Sequence, residues 1–255
     1  MDKIIGLGNA LVDVLATLKD DTLLDEMGLP KGSMQLIDDA KLQQINTKFS
    51  QMKTHLATGG SAGNAILGLA CLGAGTGFIG KVGNDHYGDF FRKNLQNNNI
   101  EDNLLTSEQL PSGVASTFIS QDGERTFGTY LGAAASLKAE DLTLEMFKGY
   151  AYLFIEGYLV QDHEMILHAI ELAKEAGLQI CLDMASYNIV ENDLEFFSLL
   201  INKYVDIVFA NEEEAKAFTG EEPEEALRVI AKKCSIAIVK VGANGSYIRK
   251  GTEEI

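Results

Sequence analysis

Tryptophan is absent from the 255-residue sequence, and proline and cysteine occur only three times each. Cys71, Cys181 and Cys234 form no C-x-x-C pair, which argues against a disulfide framework or a C-x-x-C metal site. Each lies in an apolar run, so we expect three buried free thiols. Cations are also scarce, and the net charge of −16 argues against nucleic acid or an anionic membrane as a partner, because both are bound by surplus Lys and Arg.

Long hydrophobic runs are missing as well. No stretch of about 18 apolar residues occurs, so the sequence predicts no membrane-spanning helix. The first residues, MDKIIGLGNALVDV, are interrupted by Gly6 and Gly8 and do not resemble a signal peptide. We therefore expect a cytoplasmic protein, long enough for one large α/β domain or two small ones.

Short apolar runs alternate with helical stretches along the chain. The runs are KIIGLG, GTGFIGKVG, AYLFIEG, LQICLDM, VDIVFA and SIAIVKV. Between them we predict helices over 162–176, with Asp162 as N-cap and Gly177 just past the end, over DLEFFSLLINK, and from Pro223. This alternation predicts an α/β fold of three layers, with a mostly parallel sheet between helices.

Two regions, about 13–40 and 112–131, interrupt this rhythm with β segments that have polar faces. The second contains the turn signal Asp122-Gly123 between two alternating runs, which predicts a hairpin. An antiparallel hairpin does not easily join a parallel sheet. We therefore interpret both regions as a small β lid on a single domain spanning residues 1–255.

The stretch GTGFIG, residues 75–80, satisfies the G-x-G-x-x-G pattern of dinucleotide-binding proteins. That motif must follow a strand and open a helix, whereas this stretch follows a helical pattern and itself runs into a strand. It also nearly forms a P-loop, but Val82 stands where a Ser or Thr must hold magnesium. An NAD-dependent dehydrogenase is therefore only a weak alternative.

Three predicted strands end in a polar or ionisable residue, namely Glu156, Asp183 and Asn211. In open α/β sheets, ligands bind outside the carboxyl ends of the strands, so we expect a site at this edge and place Glu156 in the substrate pocket. Asn211 and Glu214 are three residues apart at a helix start. This spacing suits an outer-sphere magnesium or phosphate-water site, but it also suits plain stabilisation of the helix end.

The stretch ATGGSAGNAILG, residues 57–68, places glycines and small residues at the mouth of a helix, followed by an amide. Glycines let a ligand approach the backbone, and free amides at the helix start point into the pocket. Together with Gly73, Gly80, Gly83, Asp85 and Gly88, this stretch resembles the first signature of the ribokinase-like (PfkB) family of carbohydrate and nucleoside kinases. Further stretches resemble motifs of the same family: GLGNALVDV, LGAAASL, NEEE and VKVGANGSYI.

The resemblance implies a ribokinase-like fold and assigns roles by position. The implied acceptor-binding residues, which would pair with sugar hydroxyls, are Asn9, Asp13, Gly59, Gly60, Ser61 and Asn64. Arg125 in the lid would contact the transferred phosphate. The implied ATP-binding residues are Asn211, Lys240, Gly242 and Gly245, with Glu214 at the magnesium ion. Lys240 stands where many relatives have a hydroxyl residue.

One family feature is missing, the second signature D-T-x-G-A-G-D, which in relatives supplies an anion hole and the catalytic base. We expect that base after Ile255, in a chain cut before the segment, and expect residues 1–255 alone to be inactive. A natural end there would instead indicate a non-catalytic protein that binds a sugar or nucleoside.

The function implied by the resemblance is ATP- and Mg²⁺-dependent phosphorylation of a hydroxymethyl group. The flap sequence DGERTFGTYLGAAASL favours adenosine as acceptor, with a free sugar such as ribose or fructose as the alternative. The protein would be a monomer or a homodimer formed through the lid. Exposed apolar residues there, for example Phe118 and Ile119, would favour the dimer.

Overall fold

The computed structural model describes residues 2–255, in which the strands form one sheet of nine and one of five. In chain order the strands are β1 (Ile4–Leu7), β2 (Leu11–Thr17), β3 (Met34–Leu36), β4 (Thr54–Gly59), β5 (Thr76–Gly83), β6 (Ile100–Ser107), β7 (Gly113–Ile119), β8 (Arg125–Tyr130), β9 (Tyr152–Glu156), β10 (Gln179–Asp183), β11 (Ile207–Asn211), β12 (Ile236–Lys240), β13 (Ser246–Lys250) and β14 (Glu253–Glu254).

The α-helices lie between these strands. They are α1 (Thr22–Met27), α2 (Asp39–Phe49), α3 (Ser61–Cys71), α4 (His86–Asn97), α5 (His163–Glu175), α6 (Tyr187–Asn192), α7 (Leu194–Lys203), α8 (Glu212–Thr219) and α9 (Pro223–Ala231). Short 3-10 turns, of which Gly132–Ser136 is one, complete the connections. None of the helices in residues 2–255 combines the length and the apolar character needed to cross a bilayer.

The larger sheet has the strand order β14-β13-β12-β11-β10-β9-β1-β5-β6 and is parallel from β12 to β6. Helices α5, α7 and α9 bury one of its faces in the main hydrophobic core. Helices α3 and α4 cover the other face around β1, β5 and β9. The predicted three-layer α/β/α architecture with a mostly parallel sheet is therefore confirmed.

Helices cover this second face less completely towards β11 and β12. Ile207, Phe209, Ile236 and Ile238 point to it by their alternation along the two strands and are only partly buried. The residues between them, for example Val208 and Val239, point to the opposite face and are fully buried. The two faces of this half of the sheet thus differ in how much apolar surface they leave accessible.

The smaller sheet has the order β3-β8-β7-β2-β4, and helices α1 and α2 cover one of its faces. The predicted hairpin is confirmed, because β7 and β8 pair antiparallel and lie in this separate sheet. The sheet also contains β4, which lies outside the segments 13–40 and 112–131 of the predicted lid. Its action as a lid stays a prediction.

Several local expectations can be compared directly with the structure. Helix α5 begins after Asp162, whose carboxylate accepts from Met165 N (3.1 Å), and Gly177 follows it with φ +85°. The expectation of three buried thiols is confirmed for Cys181 only, because Cys234 is partly buried and Cys71 is exposed near the end of α3. Phe118 is fully buried against Phe49, so it offers no surface for a dimer.

Candidate active site

The polypeptide passes from the larger sheet into the smaller one between Leu7 and Leu11, and this passage holds the first predicted site residues. The stretch GLGNALVDV spans this passage, because β1 ends at Leu7 and Asp13 lies on β2 of the smaller sheet. Asn9 interrupts the strand because its backbone N–H donates to the side chain of Glu156 rather than to a neighbouring strand.

The carboxylate of Asp13 lies against the backbone of Gly59 on the neighbouring strand β4. A Cβ atom at Gly59 would overlap Asp13 Oδ1, so only glycine leaves room for this arrangement. Asp13 accepts no hydrogen bond from residues 2–255, although its side chain is partly buried. Burial raises its pKa to about 6, and the charge of Arg125 opposes the rise. A carboxylate in this state gains from hydroxyl donors supplied by a ligand.

The GGSAGN stretch, which follows Thr58 on β4, forms the second wall of the predicted acceptor site, and Asp13 forms the first. Gly60 has φ +84° and packs against the carbonyl oxygen of Asn9, a contact that any Cβ would block. Helix α3 begins immediately afterwards at Ser61, and no side chain of the residue before it caps the helix. The side chains of Ser61 and Asn64 are exposed. The structure therefore brings the six acceptor-site residues predicted from the resemblance together at one junction of the two sheets.

Glu156 occupies a different position from the one predicted. Its side chain is 1% exposed. Its Oε1 accepts from Asn9 Nδ2 (2.6 Å) and Asn9 N (3.3 Å), and its Oε2 accepts from Ala62 N (3.0 Å). Burial raises its pKa, whereas the N–H donors lower it. Glu156 is therefore buried beneath Asn9 and the start of α3, two parts of the predicted acceptor site.

A row of side chains runs across the smaller sheet from Asp13. The strand register places Asp13 beside Ala115, Ala115 beside Thr129, and Thr129 beside Leu36. Paired residues share a face, so the four side chains form one line about 14 Å long, three strand spacings across. The two middle side chains, Ala115 and Thr129, are small and buried, and we call this line from Asp13 to Leu36 the trough.

Apolar side chains are exposed at the far end of this trough. Leu36 is 65% exposed and Met34 is 45% exposed, although both belong to a strand of the sheet. Phe127 pairs with Met34 in the neighbouring row of the same face. The opposite face is closed by helices, since a Cβ at Gly128 would lie 3.1 Å from Ile45 Cδ1 of α2. The trough thus lies on the face of the smaller sheet opposite to helices α1 and α2.

Arg125 lies at the start of β8 on the face that carries Asp13. The register pairs it with Ile119, which in turn pairs with Thr17 on β2. Its side chain is exposed and forms no ion pair with residues 2–255 of this chain. The charge of Arg125 lowers the pKa of Asp13. A free guanidinium above the trough suits a phosphate group.

The predicted nucleotide residues lie at the carboxyl edge of the larger sheet, two to three strands away from Glu156. Asn211 and Glu214 form a capping box, in which Asn211 Oδ1 accepts from Glu214 N (2.8 Å) and Glu214 Oε2 accepts from Asn211 N (2.7 Å). The helix-end reading of their spacing is therefore confirmed, whereas the magnesium or phosphate-water role stays a prediction. Burial raises the pKa of Glu214.

Lys240 and the turn after it complete this edge. Lys240 Nζ donates to Asp183 Oδ2 (3.1 Å) and pairs in the sheet with Asn211. Gly242 and Gly245 have φ values of +56° and +96°, and both are exposed in the turn between β12 and β13. Asp183, which the sequence places only at a strand end, thus proves to be the ion-pair partner of Lys240.

In the part of the chain that the structure describes, the carboxyl edge of the larger sheet does not present a set of side chains that could coordinate a metal ion directly. Within residues 2–255 no three His, Cys, Asp or Glu side chains converge as a ligand set. The free oxygen of Glu214 fits a magnesium ion that keeps its waters and is held mainly by nucleotide phosphates, as Mg²⁺ commonly is. The outer-sphere role of Glu214 stays a prediction.

Met34 and Leu36 are candidate functional residues that the sequence analysis did not identify. Their segment, GSMQLID, reads as three apolar residues among polar ones and does not indicate on which face they lie. Asp85, seen in the sequence only as part of the signature, caps α4 and also binds Ser112 at the base of the smaller sheet. The only signal for it was the DHYG spacing of a helix start.

Comparison with known proteins agrees with this architecture. The chain is 26% identical over 264 residues to the guanosine-inosine kinase of Escherichia coli (strain K12), an alignment that covers 98% of this chain and 61% of that protein. It is 24% identical over 209 residues to mouse ribokinase, covering 77% of this chain and 62% of that protein. The chain thus spans less than two thirds of the length of these curated relatives.

Among solved structures, the adenosine kinase from Sinorhizobium meliloti matches with a TM-score of 0.86 and 31% identity. This match covers 100% of the present chain and 79% of that one. The model of the pfkB family carbohydrate kinases matches residues 32–255, which include the GGSAGN stretch and the predicted nucleotide residues but not Asn9 or Asp13. The chain belongs to the PfkB family of carbohydrate kinases.

Proposed function

We propose that the protein phosphorylates the hydroxymethyl group of a nucleoside, with adenosine as the preferred acceptor and ATP as the phosphoryl donor. The observation that carries this proposal is the Asp13 carboxylate, which is partly buried and accepts no hydrogen bond from residues 2–255. Such a group costs free energy until a ligand supplies donors, and the two neighbouring hydroxyls of a ribose do so. Asn64 and Ser61, both exposed beside it, can pair with further polar groups of the acceptor.

The trough beyond Asp13 favours a nucleoside over a free sugar. A free sugar would fill only the end near Asp13 and would leave Leu36 and Met34 exposed to water. A purine base attached to the ribose would extend along the small side chains of the middle strands and cover these apolar residues. Burying apolar surface contributes about 25 cal/mol per Å², so this contact adds affinity that a free sugar cannot obtain.

The same proposal gives roles to the residues at the end of the site where the phosphoryl group is transferred. Arg125 would contact the transferred phosphate, because its guanidinium is free and lies on the face of Asp13. Asn211, Lys240, Gly242 and Gly245 would border ATP, and Glu214 would orient waters of the bound Mg²⁺. Mg²⁺ neutralises charge on the phosphates, whereas the chain's own residues position the two substrates.

The smaller sheet would act as a lid over the acceptor. Closure brings Arg125 towards the phosphate and excludes water, which would otherwise accept the phosphoryl group. No residue of this chain is proposed as the base that removes the acceptor's proton. The absence of the D-T-x-G-A-G-D segment from the sequence leaves that role open.

The test is ADP release by the protein expressed from its complete reading frame, with ATP, Mg²⁺ and separate acceptors. The panel is adenosine, guanosine, inosine, ribose and fructose. Turnover with nucleosides and not with free sugars supports the proposal. Turnover with ribose or fructose alone would move the protein to the free-sugar alternative. Binding of adenosine without any turnover would favour the non-catalytic binding protein.

A further inference from the structure

Four chain passages connect the two sheets, and they form two junctions. The first junction joins the passage from β1 to β2 with the passage from β4 to α3. The second joins the passage from β6 to β7 with the passage after β8. Every movement of the smaller sheet relative to the larger one must pass through these two places. The side chains that hold them therefore set the geometry of the acceptor site, which lies between the sheets.

The first junction is held by one carboxylate that comes from neither passage. Glu156, at the end of β9, binds the backbone and side chain of Asn9 with one oxygen and Ala62 N with the other. Ala62 lies in the first turn of α3, a helix that the residue before it leaves uncapped. Glu156 thus supplies from a distant strand the acceptor that a local N-cap residue normally provides.

The surrounding contacts leave little freedom at this point. A Cβ atom at Gly8 would lie 2.7 Å from Glu156 Oε2, and one at Gly60 would overlap Asn9 O. The two passages are therefore in van der Waals contact over their backbones, with the Glu156 carboxylate beneath both. Asp13 lies four residues beyond Asn9, and Ser61 directly precedes Ala62, so each passage leads to one wall of the acceptor site.

The second junction is also held by one carboxylate that binds both a helix start and a chain passage, and this carboxylate is Asp85. Asp85 caps α4 by accepting from Tyr87 N and Gly88 N (3.0 and 2.9 Å). It also accepts from Ser112 N (2.7 Å) and Ser112 Oγ (2.7 Å), and that hydroxyl accepts from Gly83 N (2.9 Å). Ala133 N donates to Pro111 O (2.7 Å), which ties the fourth passage to the third.

We propose that Glu156 is a positioning residue that holds Asn9 and the start of helix α3 in one relative geometry and thereby aligns the two walls of the acceptor site. Asp85 holds the second junction in the same way. This inference rests on the proposed function for its readout in acceptor binding. It assigns Glu156 no contact with the acceptor, because both of its oxygens already accept from N–H groups and the side chain is 1% exposed.

The chemistry of the contacts makes Glu156→Gln a sharp probe. Each oxygen of Glu156 accepts from a backbone N–H, and a backbone N–H cannot reorient to accept a hydrogen bond. The amide of glutamine keeps the shape but places an NH₂ group opposite one of these two N–H groups. The hydrogen bond from either Asn9 N or Ala62 N is then lost, while the volume of the buried side chain is preserved.

The experiment compares wild type, Glu156→Gln and the control Glu145→Gln, a surface carboxylate that is 78% exposed. The full-length proteins are titrated with adenosine and with ATP. We expect the adenosine Kd of Glu156→Gln to rise about 10- to 100-fold, the effect of losing a hydrogen bond to a charged group. Its ATP Kd should stay within about twofold, because the ATP edge does not involve Asn9 or α3. Equal losses for both ligands, or a wild-type adenosine Kd, would overturn the proposal.

A double-mutant cycle with Asn9→Ala separates positioning from general destabilisation. If Glu156 acts through Asn9, the double variant loses little more adenosine affinity than the more damaging single variant. Fully additive losses would show that Glu156 does not act through Asn9 and would overturn the assignment.

Amide hydrogen exchange provides a readout that does not depend on any activity. The Asn9 and Ala62 amides should exchange faster in Glu156→Gln, whereas the Ser112 amide should respond to Asp85→Asn instead. Unchanged exchange at Asn9 and Ala62 would contradict the proposal. If wild type binds no nucleoside, the proposed function fails, and the exchange result alone then decides whether Glu156 holds the junction.

Discussion

The side chain of Asp13 occupies the space that a Cβ atom of Gly59 would fill, on neighbouring strands of the smaller sheet. Gly59 does not have a positive φ, so glycine there leaves room for the Asp13 side chain in its present position and is not needed for the backbone conformation. The first of two consecutive glycines in ATGGSAGN thus makes room for an acidic side chain. The second, Gly60, has φ +84° and does require glycine's conformational freedom.

Gly59→Ala tests this contact. The added methyl group displaces the Asp13 carboxylate, so we expect the adenosine Kd to rise by about 10-fold or more, as when a charged hydrogen-bonding group is lost. The matched control is Gly68→Ala in α3, where a Cβ atom meets nothing within 4 Å. That control should bind adenosine normally and gain about 0.5–1 kcal/mol of stability. Calorimetric titration and urea unfolding measure the two effects, and similar affinities for both variants would contradict the assignment.

Removal of the Asp13 charge should stabilise the protein. Burial raises the pKa of Asp13 to about 6 from an ordinary value of 3.8, so the ionised form is disfavoured in the folded state. The resulting penalty is absent below pH 3.8, grows between pH 3.8 and 6, and is complete above pH 6. Asp13→Asn should therefore gain about 1–3 kcal/mol at pH 7.5 and little at pH 4. Urea unfolding at the two pH values checks this, and equal gains at both would refute it.

Adenosine binding should depend on pH through the same carboxylate. As the pH falls through about 6, Asp13 becomes protonated and loses one of the acceptor positions that the ribose hydroxyls need. The charge of Arg125 lowers the pKa of Asp13, so Arg125→Gln should move the midpoint of this loss to higher pH. Lys93→Gln, which removes a charge from the exposed face of α4, should leave the midpoint unchanged. A midpoint that fails to move in Arg125→Gln would show that the two groups are not coupled.

The apolar end of the trough should distinguish nucleosides from free sugars. Leu36→Ser removes exposed apolar surface that a base would cover, so the adenosine KM should rise roughly 5- to 20-fold, as expected for the loss of about 1–2 kcal/mol of buried side chain. Any weak turnover of ribose should not change. Leu72→Ser, at a position that is 86% exposed on the far end of α3, is the control. An unchanged adenosine KM in Leu36→Ser would place the base elsewhere.

The features predicted correctly from the sequence were those that depend on neighbouring residues. The strand ends at Glu156, Asp183 and Asn211 and the helix boundaries near Asp162 and Pro223 all agree with the structure. Capping residues, turn glycines and short apolar runs act over a few residues, so their signals are present in the sequence itself.

The misplaced features depend on residues far apart in the chain. Glu156 is buried because it meets Asn9 and Ala62, which are 147 and 94 residues away. Strand β4 joins the smaller sheet by pairing with β2 across two helices and a strand, which no local pattern in THLATG indicates. The register that aligns Asp13 with Leu36 likewise arises only from the pairing of four strands.

The most direct test of the account is a comparison of adenosine with 2′,3′-dideoxyadenosine by calorimetric titration at pH 7.5. The two ligands share the base and the hydroxymethyl group and differ only in the hydroxyls assigned to Asp13. A site built to pair those hydroxyls should bind adenosine at least about 100-fold more tightly, and Asp13→Asn should abolish most of that preference. Equal affinities for the two ligands in the wild-type protein would contradict the proposed role of Asp13 and, with it, the assignment of this trough to a nucleoside.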